Sequence, residues 1–334
     1  MKRTFILTLV GAAILLCCLQ AQRGGSANPS AELGPLSSPA ATTAQVNFNA
    51  IALLRWYPAN LTTSFAVGAG PQGVAFDGAD IWVANSNSNS ITKLQANNGT
   101  LLGTFGVGTN PSGVAFDGAN IWVTNKNSNN VTKVRASDGA ILGNFTVGTF
   151  PTGIAFDGAN LWVANLLTSN VTELRASDGT VLGTFTVGGY PSGVAFDGTS
   201  IWVTNQMNNT VTKLLASNGT LEGTFNVGRS PQGVCFDGAY IWVANGGSNS
   251  VTKLAASNGD IAGTFAVGNA PIGLAFSGGG IWVANSGANF VTKLAAQTGA
   301  NLGSFPVGNF PSGVAFDGAD VWVTNTSSNT VSKL

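Results

Sequence analysis

Residues 111–134 have the sequence PSGVAFDGANIWVTNKNSNNVTKV. Short runs of β-branched and aromatic residues are separated by Asp, Asn, Ser and Gly, a pattern typical of short strands joined by tight turns. It predicts strands at 113–116, 121–124 and 131–134. A fourth strand is predicted at 141–147, after the Asp-Gly turn that follows. One structural unit is therefore a hairpin-connected sheet of four strands.

The same unit occurs seven times along the chain, without insertion or deletion. Its proline recurs every 40 residues, at Pro71, Pro111, Pro151, Pro191, Pro231, Pro271 and Pro311. Its tryptophan recurs with the same spacing, at Trp82, Trp122, Trp162, Trp202, Trp242, Trp282 and Trp322. A period of this length with several short strands per repeat is typical of propeller blades. The sequence predicts an all-β fold, a seven-bladed β-propeller of four-stranded blades with repeats starting near residues 65, 105, 145, 185, 225, 265 and 305.

Polarity along the repeat predicts where each strand lies in the blade. The first two strands have no polar alternation, so we expect them to be buried on both faces between neighbouring blades. The third and fourth strands are more polar and are expected at the outer rim. The seventh repeat ends at Leu334 after its third strand, and residues 61–67 resemble the missing fourth strand. We expect these two segments to pair and close the ring; residues 51–56 also resemble a strand but have no assigned place.

The N-terminus has the features of a secretory signal peptide, which we assign to residues 1–21. Lys2 and Arg3 precede an apolar run at 5–19, and this run is shorter than the roughly 20 residues that span a bilayer. We therefore predict a secreted, periplasmic or outer-surface protein with no membrane span after cleavage.

Two alternatives to simple cleavage stay open: a lipid anchor on Cys17 or Cys18, and an uncleaved anchor. Residues 22–48 are rich in Ser, Ala, Pro and Gly and are predicted to form a flexible linker. The propeller domain is then assigned to residues 49–334.

Composition excludes several classes of function. Lys and Arg together number 14, as do Asp and Glu, and no basic block occurs, so we predict no nucleic-acid partner. The chain has no histidine, which excludes His-dependent catalytic triads and Cys/His zinc sites. We predict no catalytic residue, no metal and no cofactor, and a monomer. Cys235, the one cysteine beyond the signal, is expected to be a buried, inert thiol.

The repeat also resembles known propeller families. The sequences PSGVAFDG at 111–118, IWVTN at 121–125 and SNNVTK at 128–133 resemble the YVTN-type repeat. They are also similar to NHL-type repeats and to those of the virginiamycin B (streptogramin) lyase family. The lyase resemblance implies a C–O lyase that opens a macrolactone with a histidine base, a metal and a carboxylate. Because this chain has no histidine, lyase activity is the disfavoured alternative.

Two polar residues recur with the framework. An Asp precedes Gly in the first turn of six repeats, at Asp77, Asp117, Asp157, Asp197, Asp237 and Asp317, while the sixth repeat has Ser277. We interpret these carboxylates as acceptors for their own turn amides rather than as a ring of Ca²⁺ ligands. An Asn ends the second strand of every repeat, at Asn85, Asn125, Asn165, Asn205, Asn245, Asn285 and Asn325, and is interpreted as a cap of the following turn.

Residues that differ between repeats are the candidates for function. The connections from strand four to strand one and from strand two to strand three are predicted to lie on the same side of the ring, which we call the loop face. Its distinctive residues are Lys126, Phe150, Leu166, Leu167, Tyr190, Gln206, Met207, Arg229 and Phe310. Aromatic residues, Met and Arg are common anchors of interfaces. The sequence thus predicts a non-enzymatic binding or scaffold module for a protein, peptide or glycan. The alternatives are neutral drift of the loops and a purely structural surface protein with no discrete ligand.

Overall fold

The computed structural model describes residues 63–334, which form seven four-stranded antiparallel sheets. The predicted signal peptide, the linker and the strand-like piece at 51–56 lie outside the described residues. No helix within the described range is long and apolar enough to cross a membrane. The predicted seven-bladed β-propeller is confirmed.

The strands follow the repeat closely. Blade one contains β2 (Pro71–Phe76), β3 (Asp80–Asn85), β4 (Ser90–Gln95) and β5 (Leu101–Gly106). Blade two contains β6 (Pro111–Phe116), β7 (Asn120–Asn125), β8 (Asn130–Arg135) and β9 (Ile141–Thr146). Blade three contains β10 (Pro151–Phe156), β11 (Asn160–Asn165), β12 (Asn170–Arg175) and β13 (Val181–Thr186). Blade four contains β14 (Pro191–Phe196), β15 (Ser200–Asn205), β16 (Thr210–Leu215) and β17 (Leu221–Asn226). Blade five contains β18 (Pro231–Phe236), β19 (Tyr240–Asn245), β20 (Ser250–Ala255) and β21 (Ile261–Ala266). Blade six contains β22 (Pro271–Ser277), β23 (Gly280–Asn285), β24 (Phe290–Ala295) and β25 (Asn301–Pro306). Blade seven contains β26 (Pro311–Phe316), β27 (Val321–Asn325), β28 (Thr330–Lys333) and β1 (Ser64–Ala66).

The N-terminal strand closes the ring, as the sequence predicts. In blade seven the strand order is β26-β27-β28-β1, so β1 takes the place of the fourth strand. It pairs antiparallel with β28, with Ser64 opposite Ser332 and Ala66 opposite Thr330. The Phe65 ring packs on Trp322, with 5.5 Å between ring centroids. The first and last described segments of the chain are thus held in one sheet.

The core consists of seven apolar clusters, each lying between two blades. In one of them Trp82, Ala84 and Ile91 of blade one pack against Ile121 and Val123 of blade two. The second strand of each blade is buried, as predicted, whereas the first strand is only half-buried, because its residues also line a central channel.

The expectation that the third strand lies at the outer rim is wrong. Val131, Thr132 and Lys133 are all buried, and only the fourth strand alternates between exposed and half-buried residues. Burial of Lys133 is tolerated because its Nζ lies 4.9 Å from the centroid of the Trp122 ring and donates to the carbonyl of Ala176 in the next blade, at 2.7 Å. The polar character of Lys133 therefore does not place the third strand at the surface.

The recurring Asp residues are turn residues, as interpreted, and they have a second role. Asp117 Oδ1 accepts the backbone N–H groups of Ala119 and Asn120, while its Oδ2 accepts the indole N–H of Trp122 at 2.7 Å. The same bond to the blade's tryptophan recurs in all six Asp-containing blades, and in blade six Ser277 Oγ replaces the carboxylate. Burial of Asp117 opposes ionisation, but the hydrogen bonds from Trp122, Asn120 and the turn amides outweigh it and lower the pKa of this carboxyl.

The recurring Asn residues are also structural. The Asn125 side chain is fully buried, and its Nδ2 donates to Asn130 Oδ1 and to Thr132 Oγ1, both at 2.8 Å. Its amide group therefore connects the second strand to the third, which goes beyond capping a turn.

Asp237→Ala is expected to lower the free energy of unfolding by roughly 1–3 kcal/mol, because the indole N–H of buried Trp242 loses its acceptor. Asp237→Ser is the matched control: it retains an oxygen for the indole, as Ser277 does for Trp282, and should lose clearly less. Urea unfolding followed by tryptophan fluorescence measures both variants. Equal losses would contradict a structural role for the bond to the indole.

Candidate functional site

The two variable loop classes lie side by side on one face. In blade two the backbone N–H groups of Lys126 and Asn127, which follow strand β7, donate to the carbonyls of Asn110 and Thr109, which precede strand β6. Equivalent bonds occur in every blade. The two loop classes of each blade are therefore joined by backbone hydrogen bonds on the predicted loop face.

The residue before each framework proline has a left-handed backbone. The φ angles are 66° for Gly70, 57° for Asn110, 58° for Phe150, 56° for Tyr190, 48° for Ser230, 48° for Ala270 and 55° for Phe310. Gly and Asn adopt this region readily, whereas a bulky aromatic residue there is a backbone outlier. In six of the seven loops an asparagine side chain holds this conformation: the Phe150 N–H, for example, donates to Asn129 Oδ1 at 2.9 Å. In the loop of Tyr190 the position of that asparagine is taken by Ser169. No feature of the sequence indicates that three aromatic residues occupy strained positions.

Four of the predicted site residues meet at the channel mouth, by which we mean the loop-face opening of the central channel. Lys126, Phe150, Leu166 and Gln206 line it and are half-buried. The remaining wall comes from the second residue of each first strand, namely Gln72, Ser112, Thr152, Ser192, Gln232, Ile272 and Ser312. Gln206 Nε2 donates to Gln232 Oε1 at 3.1 Å across neighbouring blades. The wall residues from the first strands have no distinctive signal in the sequence, because only closure of the ring brings them together.

The other five predicted site residues lie outside the channel mouth, and all are exposed. They are Leu167, Tyr190, Met207, Arg229 and Phe310. Met207 is 70% exposed and Tyr190 is 44% exposed. Tyr190, Met207 and Arg229 come from the adjacent loops of blades three to five, whereas Phe310 stands on the loop that enters blade seven. The predicted site thus separates into a half-buried group at the mouth and an exposed outer group.

The loop face carries positive charge only. Among the loops of this face in residues 63–334, Lys126 and Arg229 are the charged side chains, and no Asp or Glu occurs there. The described carboxylates lie instead in the turns of the opposite face and in the strand ends beside them. No salt bridge joins Lys126 to any described residue, and its Nζ lies 5.8 Å from the centroid of the Phe150 ring. Burial lowers the pKa of the Lys126 ammonium.

Cys235 is half-buried rather than fully buried, and it contacts the apolar cluster around Trp242. Burial raises the pKa of the Cys235 thiol far above its usual range, and the nearby Asp237 carboxylate adds to this rise. A thiol that stays protonated is a poor nucleophile, which agrees with the predicted low reactivity.

Comparisons with known proteins identify the fold. No protein-family model matches the sequence, and no curated protein matches it. Among solved structures, Kuenenia stuttgartiensis hydrazine synthase has a TM-score of 0.72 at 20% identity, covering 79% of this chain and 95% of that one.

A streptogramin B lyase structure has a TM-score of 0.71 at 20% identity, covering 81% of this chain and 95% of that one. A catalytically inactive histidine-to-alanine variant of virginiamycin B lyase from Staphylococcus aureus, with quinupristin, has a TM-score of 0.69 at 19% identity, covering 79% of this chain and 94% of that one. The chain therefore has a virginiamycin B lyase-like propeller fold, and at this level of identity the likeness establishes the fold alone.

Proposed function

We propose that this protein is a non-enzymatic binding propeller that acts outside the cytoplasm and presents its loop face to a protein, peptide or glycan. The observation that carries the proposal is the left-handed backbone of Phe150, Tyr190 and Phe310. A residue held in such a sparsely populated region costs on the order of 1–3 kcal/mol. Gly70 and Asn110 serve the same backbone position in the first two loops without a bulky side chain. Folding does not require the aromatic rings, so their presence favours a role in binding.

The composition of the exposed outer group supports the same function. Tyr190, Met207 and Arg229 occupy neighbouring loops, and their side chains combine apolar area with one cation. Tyr, Met and Arg are enriched where proteins bind partners. A cluster of exposed apolar side chains on one face is also uncommon without such a use.

Lyase chemistry is not part of the proposal. The likeness to the two lyases extends to the fold, and one of them is a catalytically inactive variant in which alanine replaces a histidine. This chain contains no histidine. A propeller fold accommodates many unrelated functions, so a shared architecture does not transfer the reaction.

The test is a double variant, Tyr190→Gly with Arg229→Ala, assayed for retention of the molecules that co-purify with the native protein. We expect at least a tenfold loss of partner, because large apolar and cationic anchors dominate binding energy. The melting temperature should stay the same or rise, since glycine relieves the positive φ of residue 190.

Leu221→Ala is the matched control, because it removes an apolar side chain that is 59% exposed on an outer strand away from the loop face. It should leave partner retention unchanged. Full retention by the double variant, or an equal loss in the control, would refute the loop face as the binding surface.

A further inference from the structure

Lys126 is the only charged residue among the seven residues that directly follow the second strands of the blades. The equivalent residues in the other blades are Ser86, Leu166, Gln206, Gly246, Ser286 and Thr326. Five of the six framework lysines on the third strands have a backbone carbonyl or a carboxylate as partner; Lys133 and Lys253, for example, donate to carbonyls of the next blade at 2.7 Å. The sixth, Lys293, lies 4.8 Å from the centroid of the Trp282 ring. Within the described part of the chain, Lys126 Nζ has no hydrogen-bond partner and no carboxylate partner. A half-buried ammonium in this position lacks the compensation that such groups normally have.

The surroundings of Lys126 combine apolar walls with neutral hydrogen-bonding groups. The Phe150 ring lies beside the ammonium at 5.8 Å, and Leu166 lines the same mouth. The Gln206 and Gln232 amides are joined to each other at 3.1 Å. Lys126 is the only charged residue among those that line the mouth in residues 63–334. The local potential is therefore positive, and partial exclusion of water strengthens any charge interaction there.

Resting on the function proposed above, we propose that the channel mouth binds a carboxylate carried on an apolar or aromatic group. Lys126 Nζ donates to the carboxylate, while Phe150 and Leu166 pack against the apolar part. A single cation matches a singly charged carboxylate. A phosphate dianion would keep one charge without a partner, because no second cation lines the mouth within the described residues. Exposed Arg229 belongs to the outer group and does not line the mouth.

Two kinds of ligand carry such a carboxylate: a free organic acid and a peptide with its C-terminal carboxylate. The probes are acid–amide pairs that differ in charge at nearly constant shape. Phenylacetate and phenylacetamide represent the free acid. N-acetylphenylalanine and N-acetylphenylalaninamide represent the peptide terminus. Binding to the full-length protein is followed by NMR titration.

We expect the acid of at least one pair to bind about tenfold or more tightly than its amide, a difference of about 1.4 kcal/mol or more, because a charged acceptor strengthens the hydrogen bond from the Lys126 ammonium. Lys126→Met should abolish this preference, because it retains an apolar side chain without the charge. Lys126→Arg should preserve it. The pair with the larger preference identifies the source of the carboxylate.

The proposal is overturned if neither acid is preferred over its amide, or if Lys126→Met retains the preference. These outcomes are separable from failure of the binding function. Loss of native partners in the Tyr190→Gly, Arg229→Ala variant would still support the loop face as a binding surface, even with the carboxylate subsite refuted. A melting temperature unchanged in Lys126→Met confirms that any loss reflects the missing charge and not unfolding.

Discussion

Deletion of residues 63–67 is expected to abolish cooperative thermal unfolding of the propeller. These residues contain β1, which completes the sheet of blade seven by pairing with β28. Phe65 also contributes to the cluster that contains Trp322 of blade seven and Ile81 of blade one. Without β1 the last blade loses its outer strand and exposes the edge of β28. Differential scanning calorimetry should then show a broad transition at a lower temperature.

Phe65→Ala and Phe225→Ala compare the loss of the same aromatic contact inside and outside the blade that closes the ring. Phe65 packs on Trp322 and Phe225 packs on Trp202, in both cases with 5.5 Å between ring centroids. Each change to Ala should cost roughly 3 kcal/mol, typical of removing a packed aromatic ring. The Phe225→Ala variant should nevertheless unfold cooperatively, because strand β17 is continuous with its own blade. A deletion variant whose melting curve matches that of the intact chain would contradict closure by the N-terminal strand.

Gly193→Ala is expected to destabilise the protein by more than roughly 3 kcal/mol or to prevent folding. A Cβ at residue 193 would lie 2.5 Å from the carbonyl oxygen of Gln232 and 3.2 Å from Gly233 Cα in the next blade. Both of these neighbours are backbone atoms, so relief requires the two blades to move apart. Because the ring is closed, that movement disturbs the packing of the remaining blades.

Gly106→Ala is the control for this substitution. A Cβ at residue 106 meets no atom within 4 Å, and the equivalent position in blade five is already alanine, Ala266. The change should alter the free energy of unfolding by less than about 0.5 kcal/mol in urea unfolding, as is usual for surface substitutions. If Gly193→Ala were equally neutral, the close approach of adjacent first strands would not constrain the ring.

Much of the architecture could be predicted from the sequence because its signals are local and repeated. A constant spacing of 40 residues, alternating strands and turns, and Asp-Gly dipeptides specify each blade within its own repeat. The strand around Phe65 could be assigned to blade seven because that repeat ends without a fourth strand of its own. The loop face was predictable as well, since antiparallel strand order alone places alternate loops on the same side.

The sequence is sufficient to predict a seven-bladed propeller closed by an N-terminal strand, and to place the distinctive loop residues on one face. The folded structure was needed to show that Lys133 is buried, that the Trp122 indole bonds to Asp117, and that Phe150 and Tyr190 have left-handed backbones. It also decided which variable residues meet at the channel mouth. This difference follows from the separation along the chain over which each interaction acts. Turn and strand preferences act within a few residues, whereas burial of a polar side chain and convergence around a channel depend on contacts between blades, which form only when the ring closes.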